Sequence, residues 1–550
     1  MSDVATAVKP IPPDIESAPV RPRRERHWLD RAPGTALGCV ALLPVAAYLW
    51  VALHRIGYPF ELEWLEGGAV GIVQRAAAGH GLYVQPSLHY VPWPYPPLYF
   101  WTSAAVAHVT GVGFLALRLV SLTASLATFL VIYVLVSSVP GGFTAPDGAP
   151  SPRRGGPQPR RRPLETRDRV AGLCAVGLFA ATFRLTGAWL DIGRVDSLFL
   201  LLFLLSVLVA TRARSWPGGI AVGALVFLAF FTKQTALVAA VPLLAWLLLR
   251  RPRVGASAVG TTAVLVIGST TVMNALSHGW YGYYVFGELG HQPFVSGALT
   301  GFWIYDLWRP LGVALLLGAA GVLALGARRR HWALRPDGLG FDLAVVLGLV
   351  GASWAGRLHS GGWDDVLIPA AAAVALLVGR AVGALRRAPP LRWRWLATAL
   401  LAGPLVVQLG QLRYPLAAQI PTAADHRAGT QLVATLRRLP GQVIVLDHPW
   451  YATLAGKGTS AQEDAIYEVL RSGDDRGRRV LLRDLPGAVA SPAVGAVVLD
   501  DTDDERGFAD VLQREFVQVP APVVSGSAFY PVTDQRLRPT LLFVRRTAPQ

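Results

Sequence analysis

The chain has 550 residues, 53% of them hydrophobic and only 16% charged, a balance rarely seen in a soluble protein of this length. Its formal charge of +16, from 51 basic against 35 acidic residues, would suit a nucleic-acid binder, but the basic residues gather in short clusters between apolar runs, near 250–253, 328–330 and 386–394, with no aromatic-laced basic face. That excludes a nucleic-acid surface and leaves a multi-pass membrane protein whose arginines line the inner side.

The first 32 residues are proline-rich and basic, without an apolar core and cleavage site, and read as a disordered cytoplasmic tail. Crossing about 30 Å of hydrocarbon takes about 17–25 mostly apolar residues. Runs of that kind fall near 35–54, 114–138, 170–190, 197–212, 217–232, 235–250, 256–276, 308–327, 340–356, 366–386 and 395–412, which predicts an all-α polytopic domain over 33–412 with about eleven transmembrane helices. With the N-terminus inside, the loops at 139–169, 212–217, 250–255, 328–338 and 386–394 face the cytoplasm, and each contains arginine. The outer side then receives 55–113, 191–196, 233–234, 277–307, 357–365 and everything after about 413, placing the chain in the cell inner (plasma) membrane with an extracytoplasmic C-terminal domain. This parity requires that 97–113 lies at the outer interface rather than crossing; otherwise PRRGGPQPRRRP at 152–163 is stranded outside.

Residues 413–550 change character. Amphipathic helical patterns, as at 424–439, alternate with the β-branched runs QVIVL (442–446) and AVVL (496–499), and RPTLLFVRR (538–546) reads as a closing strand. The pattern predicts a small α/β domain. No glycine-rich phosphate loop follows these strands. Cys39 and Cys174 lie in apolar runs, too few for a disulfide framework or a thiolate metal site.

The first outer loop opens with Glu61, Glu63 and Glu66, carboxylates at the water interface. If that stretch is helical, Glu63 and Glu66 share a face; the plain alternative is a solvated acidic rim. Arg194 and Asp196 flank a loop end, where they either pair with each other or meet an anion. Lysine occurs only at Lys9, Lys233 and Lys457, so Lys233, isolated between two apolar runs, stands out; snorkelling to the interface is its ordinary alternative. Trp280, Tyr281, Tyr283, Tyr284 and His291 lie on the long outer loop, as an interfacial belt or as platforms for sugar rings. No histidine or carboxylate group shows metal-ligand spacing.

Taken in order, ELEWLEG (61–67), GLY (81–83), YPPLYFW (95–101), GRVDSLFLL (193–201), FFTKQTALVAA (230–240) and the stretch 359–373 that begins HSGGWDD resemble the motifs of GT-C fold glycosyltransferases that use a polyprenyl-phosphate sugar, the group related to protein O-mannosyltransferases and lipopolysaccharide core transferases. The resemblance covers about residues 35–420. It departs at the first motif, where the family usually has an aspartate–glutamate pair and this chain has three spaced glutamates. The resemblance implies an inverting hexosyl- or pentosyltransferase, with a lipid-linked sugar donor, a glycan, lipid or protein hydroxyl of the cell envelope as acceptor, and no cofactor. It implies Glu63, then Glu66, then Glu61 as catalytic base; Arg194 and Lys233 on the donor phosphate; and Asp191, Asp196, Tyr95, Tyr99 and Asp364 in substrate binding. A secondary transporter, with ionisable residues on broken helices at the midplane, and a non-catalytic envelope scaffold are the alternatives.

Overall fold

A computed structural model of the protein describes residues 27–138, 168–327, 338–387, 393–520, 524 and 526–546. The expected tail, the basic stretch 152–163 and most of the loops 328–338 and 386–394 lie outside the described residues.

Each predicted apolar run contains a helix, but 170–190 is helical only as far as Ala181 and continues in turns. After α1 (His27–Arg55), the first long connection carries α2 (Glu66–Ala77) and α3 (Leu98–Thr110); then come α4 (Phe114–Ser137), α5 (Arg169–Ala181), α6 (Asp196–Arg212), α7 (Trp216–Phe230), α8 (Ala236–Arg250) and α9 (Pro252–Leu276). The bundle closes with α10 (Arg309–Ala327), α11 (Leu339–Arg357), α12 (Ile368–Arg387) and α13 (Arg394–Gln411). Among the described residues, six helical stretches are by themselves long and apolar enough to cross a bilayer, and α5, α7 and α8 are shorter apolar helices. The chain is a multi-pass membrane protein. With 13 residues, α3 reaches only about 20 Å at about 1.5 Å per residue, too short to span.

Small residues let the helices meet closely. A Cβ on Gly177 would sit 2.0 Å from the Ala41 carbonyl oxygen, and one on Gly348 would sit 2.1 Å from that of Ala239, so α5 on α1 and α11 on α8 pack backbone to backbone, as membrane helices do where no hydrophobic effect drives them together.

The C-terminal part begins with α14 (Ala423–Arg438), whose capping box joins Thr422 and Asp425. Four strands follow, β1 (Gln442–Val445), β2 (Val494–Leu499), β3 (Phe516–Gln518) and β4 (Leu541–Arg545), in the order β1-β2-β4-β3. β1 and β2 are parallel, with Val445 opposite Val498, and β4 is antiparallel to both neighbours, with Leu499 opposite Leu541. A parallel pair needs a long crossover, here made by α15 (Pro449–Leu454), α16 (Glu463–Arg471) and α17 (Asp475–Ala490); α18 (Ala509–Glu515) leads into β3. β2 is buried along its whole length, so AVVL is a continuous apolar run rather than an alternating one.

The sheet is covered on both faces, which fixes the site. Val443, Val445, Ala496 and Val498 pack with Leu432, Leu436 and Phe60 of the first outer loop. Ile444, Val497 and Leu499 share a core with Trp64, Trp93 and Tyr281. The C-terminal domain, expected on the outer side, is therefore built onto the connection between α1 and α4 and shares its core.

Candidate active site

The stretch 61–65 is irregular, and α2 begins only at Glu66. The expected shared helical face for Glu63 and Glu66 is absent, and each glutamate has a different fate. Glu66 is fully buried against Arg118, which donates from Nε to Oε1 at 3.0 Å and from Nη2 to Oε2 at 2.6 Å. It also accepts the N–H groups of Leu62 at 2.8 Å and Gly193 at 2.7 Å, and these bonds hold its carboxyl below the usual range despite burial. A carboxylate so engaged fastens the loop; its expected place as second candidate base is corrected. Glu61 meets Nδ1 of His448 and lies beside Tyr451, whose hydroxyl accepts the Glu61 N–H at 3.3 Å. Nε2 of His448 is 2.9 Å from Asp500. Burial opposes the charged imidazole, but Asp500 and Glu61 on either side hold its pKa well above the ordinary histidine value. Glu61 thus ties its loop to the C-terminal domain through His448 and Tyr451. We expect His448→Gln to loosen this clamp, seen as faster amide hydrogen exchange in 61–66; unchanged exchange would show that the clamp does not hold the loop.

Glu63 is fully enclosed, with Oε1 accepting the Leu65 N–H at 3.1 Å and Oε2 buried without a partner. Burial raises its pKa well above the carboxylate range, with Arg194 opposing and Asp534 adding to the rise.

Beside this loop, between the bundle and the outer domain, is a cavity of about 570 Å³, within the size range of small-molecule sites. None of the three glutamates lines it; the loop contributes Trp64 and Leu65. Arg194 does line it. Its guanidinium lies 4.5 Å from the Trp189 ring centroid and 5.3 Å from that of Trp93, and it closes no ion pair among the described residues. Facing Glu63, Tyr95, Asp365 and Asp196, it is held firmly protonated although burial works the other way.

Lys233, expected as a second phosphate ligand, is already committed: Nζ is 2.5 Å from Asp196 and 2.9 Å from Asp365. It sits at the break between α7 and α8, buried rather than snorkelling. Two carboxylates neutralise it, so Arg194 is the cation the cavity offers a ligand. Asp196 is correspondingly a partner of Lys233, not of Arg194 and not of substrate. Asp191 is fully buried in a paired bond with Arg55, at 2.8 and 2.7 Å, and cannot meet substrate as expected. Tyr99 is likewise in the core, donating to the Leu117 carbonyl at 3.1 Å, whereas Tyr95 lines the cavity. Asp364 pairs with Arg357 at 2.9 Å, as does Asp306, and it is Arg357 and Asp306 that line the cavity.

The aromatic group at 280–284 is neither an exposed belt nor a sugar platform: all four rings are buried, with Tyr281 edge-on to Tyr83 at 4.9 Å. They seat the outer domain. That domain lines the cavity with Asp464, Tyr467, Glu468 and Arg471 from α16 and with Asp534 and Gln535. No sequence signal singled these out, and Asp534 lies in an aperiodic stretch. Among the described residues, Asp447, Glu463 and Asp504 are the one carboxylate group close enough to hold a cation. They are not on the cavity wall, and Glu463 and Asp504 also take Arg506 and the Asp501 N–H.

No family model matches the chain, and no curated protein matches it. Two crystal structures of ArnT from Cupriavidus metallidurans share its architecture: the apo state at TM-score 0.57, covering 94% of this chain and 100% of that one, and the form bound to undecaprenyl phosphate at 0.55, covering 92% and 99%, each at 13% identity. The Archaeoglobus fulgidus oligosaccharyltransferase in complex with Zn and sulfate gives a TM-score of 0.50 at 12% identity, over 84% of this chain and 68% of that one. At these identities the likeness is one of fold, the architecture of the ArnT structures, and it agrees with the GT-C fold expected from the ordered motifs.

Proposed function

We propose that the protein is an inverting glycosyltransferase that moves a sugar from a polyprenyl-phosphate donor to a hydroxyl of an envelope glycan, lipid or protein on the outer face of the membrane. The observation that carries this reading is Arg194: a guanidinium that closes no ion pair among the described residues, held between two tryptophans in a cavity beside a carboxyl-bearing loop. As the anomeric C–O bond breaks, charge gathers on the departing phosphate, and a fixed guanidinium stabilises it with two parallel N–H donors. The acceptor oxygen attacks the opposite face of the anomeric carbon, and its proton is taken on the Glu63 side of the cavity, the acidic-loop carboxyl left without a cation. The fold agrees with this assignment, since the ArnT crystal was bound to undecaprenyl phosphate. Placing the arginine-rich loops inside sets the cavity and the C-terminal domain outside.

The transporter reading expects unpaired ionisable groups along broken helices. Here three buried cations of the bundle are in closed pairs near helix ends, Arg55 with Asp191, Arg118 with Glu66 and Lys233 with Asp196, and Arg194 lies at the cavity wall.

The test is transfer of labelled sugar from a panel of polyprenyl-phosphate sugars by the full chain in lipid, beside Glu63→Gln, which keeps the shape and removes the ionisable proton. Positioned bases contribute about 10²–10⁴-fold, and a loss of that size with donor binding intact is expected. Transfer by the variant at the parent rate would remove Glu63 from the mechanism, and silence of the parent with every donor would remove the transferase reading.

A further inference from the structure

We propose that Asp534 is a catalytic residue, and that it forms with Glu63 a carboxyl pair, holding one proton between them, which receives the proton of the acceptor hydroxyl. The inference rests on the transferase reading and supplies the group that meets the acceptor, since Glu63 does not reach the cavity surface while Asp534 does.

The backbone brings the two together. The carbonyl of Leu62, next to Glu63, accepts the N–H groups of Val532 at 3.0 Å and Thr533 at 3.2 Å, and the Thr533 hydroxyl donates to the Gly187 carbonyl. Asp534 follows at φ +66°, a left-handed conformation unusual outside glycine, though tolerated by aspartate, and one that concentrates at functional sites. These backbone bonds bring its carboxyl near that of Glu63, close enough for each to act on the other's charge. Oδ1 of Asp534 and Oε2 of Glu63 are both buried with no hydrogen-bond partner. Two carboxylates offer each other only lone pairs; two buried oxygens in this position are satisfied when one proton lies between them. The Trp64 indole N–H, with no other partner, lies beside Asp534.

The electrostatics agree. Burial pushes the Asp534 carboxyl up to about 6, opposed by Glu63, Trp64 and Arg194 and aided by Asp365, and it raises enclosed Glu63 well above the carboxylate range. Both carboxyls are raised, which favours a proton held by the pair, and Asp534, the member that lines the cavity, is the one open to an acceptor. In the reaction the acceptor oxygen forms its bond to the anomeric carbon, and the carbon–phosphate oxygen bond breaks with its electron pair on the phosphate beside Arg194. The hydroxyl proton passes to Asp534, which leaves the pair doubly protonated until water removes one proton.

The experiment uses the full chain in lipid nanodiscs, with Asp534→Asn, Asp534→Gly, Glu63→Gln and the Asp534→Asn/Glu63→Gln double variant. Asparagine and glycine both tolerate the left-handed conformation, so a loss of activity in both is not a backbone effect. Transfer is expected to fall about 10²–10⁴-fold in each single variant, and the double variant to be no slower than the worse single one, because the two act as a unit. Parent activity should rise with pH through about 6, the value for Asp534, and Asp534→Asn should lose that limb. Parent-like transfer by Asp534→Asn, or losses that multiply in the double variant, would overturn the proposal. An infrared pH titration of the buried carboxylic acid gives a second readout that does not need turnover: the proton-sharing band should change in Asp534→Asn, and a band identical to the parent's would overturn the pairing. If the parent shows the band but transfers no sugar from any donor, the transferase reading fails while the pair itself stands; the proposal that Asp534 is catalytic is then overturned with that reading.

Discussion

Replacing Arg194 with glutamine is expected to lower transfer about 10²–10³-fold, the cost found when a single preorganised donor to developing negative charge is removed. The size follows from its surroundings. Lys233, the other cation near the cavity, is spent on Asp196 and Asp365, and Arg357 and Arg471 are engaged by Asp306, Asp364 and Glu468. Among the described residues lining the cavity, no other cation is without an ion pair. Arg194→Lys should recover only part of the loss, because an ammonium is a point charge without the two-pronged donor pair or the planar face that lies against Trp189 and Trp93. Binding of a polyprenyl phosphate alone, measured by calorimetry or by thermal shift, should weaken in parallel with transfer. Binding at the parent affinity by Arg194→Gln would remove Arg194 from the donor site.

The apolar helices, the short α3 and the strands of the C-terminal domain were legible because each rests on a local pattern: apolar run length in the bundle, β-branched runs in the sheet. Arg194 was legible for a similar reason, as a charge at a loop end beside an apolar helix. Lys233 shows how far such a signal reaches. Its rarity marked it correctly as consequential, but whether it meets a phosphate or two aspartates depends on Asp365, which lies 132 residues away in the chain. The three glutamates illustrate the same limit. Their roles are divided by Arg118 in α4, His448 in the outer domain and Asp534 near the C-terminus, and no spacing within 61–66 encodes those partners. Asp534 could not be found from sequence because its position depends on backbone bonds to Leu62.

The division among the glutamates also predicts which loss is structural. Arg118→Met is expected to destabilise the protein by about 3–5 kcal/mol, the cost of removing one member of a buried ion pair. Both members of the Arg118 and Glu66 pair are fully buried, so deletion of the cation leaves a carboxylate out of reach of water. It also strands the carbonyls of Tyr58 and Phe60, to which Arg118 donates at 2.6 and 2.7 Å. Arg118→Met/Glu66→Gln should be less destabilised than Arg118→Met alone, because neutralising the stranded carboxylate removes most of that cost and leaves only the orphaned carbonyls. Glu63→Gln should leave the unfolding midpoint near that of the parent, since among the described residues Glu63 closes no ion pair and its Oε2 has no hydrogen-bond partner. Equilibrium unfolding in mixed micelles across these variants separates the roles: if Arg118→Met unfolds like the parent, the paired bonds to Glu66 do not hold the loop. If instead Glu63→Gln destabilises as much as Arg118→Met, the loop has no carboxyl in reserve for chemistry, and the distinction between its anchoring and its reacting glutamates fails.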